Sequence, residues 1–198
     1  MKRHYGVVAS AKILNVLSAA FMLLAGLLML LIPNLEKVLA QRILLGILFG
    51  LTGAAKIFGY YSNDLYRLAF QFDFAVGIFC EVLTLLVVLT PSHSYSTVAL
   101  LISAFVVLDA LLKLQMSFDA RRFGMKSWVA LFVTALVLCG VGGFAVGAAV
   151  AELMRYASIV AIALMTDGLE NIWVTAHTVR IRAKKKNLSH QFGLEEEA

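Results

Sequence analysis

Seven polar residues stand inside otherwise apolar stretches of the chain: Lys56, Glu81, Asp109, Lys113, Asp167, Glu170 and Asn171. In an apolar surrounding such groups can pair and hold segments together, or a surplus of carboxylates can handle protons or cations. Asp109 and Lys113 are four residues apart, the spacing of an ion pair within one helix, and Lys56 can reach Glu81 or Asp167 from a neighbouring helix. Glu81, Asp109, Asp167 and Glu170 against two lysines leave two carboxylates without a cation. Asp167, Asn171, Thr175 and Thr178 share one helix face, with Glu170 and His177 beside it. Asp167 lacks a lysine at i+4, where Asp109 has one, and this marks it as the residue to hold a proton. Asp73, Gly77 and Glu81 also share a face, with Asp73 expected at a helix start near the headgroups, where a carboxylate costs little. Structural glue and a proton or cation path both remain open at this point.

Other chemistry has no support in the sequence. The stretch GLTGAAK (Gly50 to Lys56) has the glycines and lysine of a phosphate loop at the wrong spacing. His4, His93, His177 and His190 are scattered, without metal-ligand spacing. No GxSxG occurs, and no base stands near a serine or cysteine. The expectation is a protein that is not an enzyme, with no catalytic residue, metal or cofactor. Cys80 and Cys139 read as small core residues rather than a disulfide.

The elements that must position these residues follow from composition. Of 198 residues 61% are hydrophobic and 15% charged, which no soluble globule of this size matches. Six apolar runs, 13–32, 43–61, 70–90, 96–116, 128–147 and 157–177, each approach the roughly 20 residues that carry a helix across a bilayer. Alternation of the β-barrel kind is missing. The fold class is therefore all-α integral membrane, with six transmembrane helices. Residues 1–12 form an N-terminal segment, 13–178 the membrane domain, and 179–198 a basic then acidic tail. The first run is too long for a signal-peptide core and ends without a cleavage site, so it reads as a retained span.

Twelve lysines and arginines fall on the side of the termini and three on the other. The positive-inside rule then places both termini in the cytoplasm. This asymmetry accounts for nearly all of the net charge of +5, with no nucleic acid needed. The run RIRAKKK after the last span suits anionic lipid headgroups.

An internal repeat organises the spans. Pro33 and Pro91 close odd-numbered runs 58 residues apart, and the same shift superposes Gly26, Thr84 and Gly142. In the even runs Thr52, Asp109 and Asp167 align, as do Lys56, Lys113 and Asn171. Asp64 with Arg67 echoes Asp119 with Arg122. The unit reads as a helical hairpin used three times in a compact bundle. Gly46, Gly50 and Ala54, and separately Gly143 and Gly147, form small-residue stripes that allow close helix approach, within the bundle or in a homo-oligomer.

Glycine-rich even spans, the stretch GYYSNDLYRLAFQFD leading into a span that ends at Pro91, and three hairpin repeats resemble the HdeD family of bacterial acid-resistance membrane proteins. The resemblance covers Ile13 to about Arg180. It implies a six-span protein of the bacterial inner membrane with a part in acid or envelope stress resistance, and supplies no catalytic residue. A small transporter or channel using the buried carboxylates is the alternative.

Overall fold

The computed structural model describes residues 2–32, 39–61, 72–89 and 95–178. Pro33 and Pro91, the turn holding Asp64 and Arg67, and the tail from residue 179 lie outside the described residues. The chain forms α1 (Lys2–Leu31), α2 (Leu39–Tyr60), α3 (Asp73–Leu89), α4 (Tyr95–Arg122), α5 (Trp128–Val150) and α6 (Tyr156–Thr178). Helix is what these sequences dictate, because an apolar segment without water must satisfy its backbone groups internally. No proline stands between residue 2 and Pro33, so α1 continues upstream of the apolar run at 13–32.

Among the described residues five stretches are long and apolar enough to cross a membrane: Lys12–Leu31, Arg42–Tyr60, Ser96–Arg122, Trp128–Val150 and Tyr156–His177. The described part of α3 has 17 residues, about 26 Å at the usual helical rise. Burial is inverted relative to a water-soluble protein. Leu31, Leu89, Phe144 and Val150 are exposed on the outside, while Lys56, Asp109, Lys113 and Asp167 are buried.

The closest helix pairs are α1 with α6, α2 with α3, and α4 with α5. The hairpins suggested by the repeat are therefore not the tightest packing units; each even helix packs hardest on the odd helix that follows it, and α6 returns to α1. Small residues explain why. A Cβ added at Gly53 would lie 2.8 Å from the Gly77 carbonyl oxygen, and one at Gly168 would lie 2.9 Å from that of Ala19. Ala19 and Gly77 are 58 residues apart, and the next equivalent, Ala135, is fully buried, as is Ala110 on α4. Gly26 likewise packs on the Ala161 backbone and Gly142 on Val107, while the Thr84 hydroxyl donates to the Gly46 carbonyl at 3.2 Å. The 58-residue register is thus one recurring helix contact.

Gly46, Gly50 and Gly53 all meet α3. The stripe expected at Gly143 and Gly147 does not behave this way, since a Cβ at either would meet nothing within 4 Å. Sequence spacing shows that a face is small, but not whether a neighbour covers it. Between α4 and α5, Gly124 takes φ +71°, and the Met125 amide donates to the Ala120 carbonyl at 3.0 Å, closing α4 in a left-handed cap.

Candidate functional site

The polar residues converge in the half of the bundle that carries both termini. Lys56 is one turn from the end of α2, Asp73 opens α3, and Asn171 and Thr175 belong to the last two turns of α6. With Asn15, Asp109 and Lys113 they line a cavity of about 30 Å³. That volume holds a water molecule or two, given that one water needs roughly 10–15 Å³.

Lys113 is the hub. Its ammonium lies 2.7 Å from Asp109 Oδ2, 2.8 Å from Asp167 Oδ1 and 3.4 Å from Glu170 Oε2. The expected i,i+4 pair with Asp109 is present. Asp167, which has no lysine at i+4 on its own helix, shares Lys113 across the α4–α6 interface. Asn171 donates to Asp109 Oδ2 at 3.2 Å and to the Asp167 carbonyl at 3.0 Å, which ties α6 to α4 a second time.

Lys56 does not meet Glu81 or Asp167. Its partner is Asp73, at 3.3 Å. Asp73 opens α3 and is 4% exposed, so it faces the bundle interior. The expected place at a helix start is observed, and what the sequence did not show is that α2 and α3 bring that end of the helix against Lys56. Glu81 is half-buried over α2, where a Cβ at Gly53 would come within 2.8 Å of its Oε1, and it has no ion pair among the described residues.

Asn15 was not singled out by sequence, although the register contained the signal. A 58-residue shift aligns Asn15, Asp73 and Leu131. The first two line the cavity, with Asn15 donating to Thr175 Oγ1 at 3.1 Å. Leu131 is buried and apolar. Lys56 finds its carboxylate on the following odd helix, but the equivalent place for Lys113 is Leu131. This is a physical reason for Lys113 to gather its partners from α6.

Four buried carboxylates, Asp73, Asp109, Asp167 and Glu170, thus face two ammonium groups. Asp73 Oδ2, Asp167 Oδ2 and Glu170 Oε1 are buried with no hydrogen-bond partner. The opposite half of the bundle is mostly apolar, with Ser103 and Arg42 as buried exceptions among the described residues. One turn beyond Asp109, fully buried Phe105 meets Phe49 edge-on at 5.7 Å and stacks on Phe79 at 6.2 Å. Met22, Leu45, Leu83 and Ile102 continue this core. Arg42, near that end, donates to the Val87 carbonyl at 3.1 Å and the Val88 carbonyl at 3.2 Å and so supplies partners for the end of α3. No group of three or more metal-ligating side chains occurs among the described residues, and Cys80 and Cys139 are free thiols.

The apolar exterior and five spanning stretches define a multi-pass membrane protein. Residues 75–146, covering most of α3, all of α4 and most of α5, match a family described as a short repeat of unknown function (DUF308), which includes HdeD-like membrane proteins. No curated protein and no solved structure matches the chain.

Proposed function

We propose that the chain is a non-enzymatic protein of the bacterial inner membrane that takes up protons at its buried carboxylate cluster, in the service of acid or envelope stress resistance. One observation carries this reading: four carboxylates surround two lysines, and three carboxylate oxygens are left buried without a partner. A charge at the middle of a spanning helix costs at least about 2.5 kcal/mol on insertion scales. Protonation removes surplus charge and converts an orphaned acceptor into a donor. The small cavity beside Asp73 and Asp109 has room for the water that would carry a proton to them. The layer around Phe105 is mostly apolar, and its buried hydroxyls on Thr52 and Ser103 donate to carbonyls of their own helices, so the cluster suits proton binding better than proton passage.

The test compares membrane abundance with acid survival in a host deleted for the gene. Asp167→Asn keeps the shape and much of the hydrogen bonding of a protonated acid, so normal abundance with lost survival is expected. Normal abundance with normal survival contradicts the role. Proteoliposomes loaded with a pH-sensitive dye should show no sustained proton flux, and steady flux would favour a transporter or channel.

A further inference from the structure

A second opening lies on the outside of the bundle, between α5 and α6. It is a crevice of about 290 Å³, at the lower end of the roughly 300–1,000 Å³ typical of small-molecule pockets. Val133, Val137 and Leu169 form apolar walls, and Trp173 lies one turn along α6 from Leu169. The hydroxyls of the two lining threonines donate to their own helices, Thr134 to the Leu131 carbonyl at 3.2 Å and Thr166 to that of Ile162 at 2.8 Å. Glu170 is the anionic group of the lining. It is 6% exposed, its Oε2 turns to Lys113 at 3.4 Å, and its Oε1 has no partner.

We infer that this crevice binds a lipophilic ammonium ion, its apolar body against Val133, Val137 and Leu169 and its positive head between Glu170 and the Trp173 ring. Charge complementarity selects this class of ligand. Glu170 meets Lys113 of α4, which also holds Asp109 and Asp167; α5 contributes Val133, Thr134 and Val137 to the crevice. The cluster as a whole has two more carboxylates than ammonium groups. A lipid acyl chain fills the space but brings no counter-charge to this depth. A quaternary ammonium brings one, needs no hydrogen-bond acceptor, and gains from an aromatic face. The site rests on an ionised Glu170, so protons taken up at that carboxylate compete with the ammonium head, whereas protons taken up at Asp73 or Asp167 leave it charged.

The experiment uses the full chain in detergent with Trp128→Phe, which leaves Trp173 as the sole tryptophan. Benzyltrimethylammonium is titrated against neopentylbenzene, its uncharged isostere, while Trp173 emission is followed. Saturable quenching is expected with the cation favoured by about tenfold or more, the scale of one well-placed charge contact. Glu170→Gln should abolish that preference. Val137→Phe alters an exposed position that tolerates a larger side chain, keeps Glu170, and should weaken binding by filling the crevice. Three results would each overturn the inference: equal response to both probes in the unsubstituted site, an unchanged preference in Glu170→Gln, or undiminished cation binding in Val137→Phe. The Val137→Phe arm decides the matter if Glu170→Gln does not fold.

Discussion

Lys113 holds three carboxylates and Lys56 holds one, so the two lysines, equivalent in the repeat, are unequal in what depends on them. Removing one partner of a buried ion pair costs about 3–5 kcal/mol, because the other charge is left uncompensated. Lys113→Met should therefore lower the melting temperature in detergent well beyond Lys56→Met, and both should fall below the parent protein. Unchanged melting for both variants would mean that the lysines reach the headgroups instead. At this scale the sequence made Asp109 with Lys113 legible, because their spacing lies within one helix. Partners across helices were not legible. Which carboxylate Lys56 meets depends on the rotation of α2 against α3, and period alone does not fix that.

The helix pairs rest on close backbone approach. Gly53 and Gly168 admit no side chain without displacing a facing backbone, whereas Gly143 borders open space. Gly53→Val and Gly168→Val should each lower stability by roughly 1–3 kcal/mol, the usual cost of overpacking. Gly143→Val should be close to neutral in the same thermal assay. Equal losses at all three positions would contradict the observed pairing. Helix existence was readable from run length, since lipid permits little else. The register of 58 residues was also readable, but its meaning was not: it records the same contact made by α2 on α3 and by α6 on α1, rather than a hairpin that packs chiefly on itself.

At the scale of the whole molecule, a six-span reading puts twelve basic residues on the side of the termini and three on the other. Cysteines introduced at Ser94 and Ser189 should then react with an impermeant reagent from opposite faces of the membrane, the latter from the cytoplasm. Reaction of both from one face would contradict the six-span topology. The central claim is that the terminal half of the bundle holds carboxylates in excess of cations and neutralises them with protons. Infrared difference spectra of the reconstituted protein between neutral and mildly acidic pH test it most directly, because a protonated carboxyl has a carbonyl band that a carboxylate lacks. The expected result is a band that grows on acidification and is diminished in Asp167→Asn and in Asp73→Asn. The same spectrum in the parent protein and both folded variants, or no carboxyl band in the parent at either pH, would contradict it.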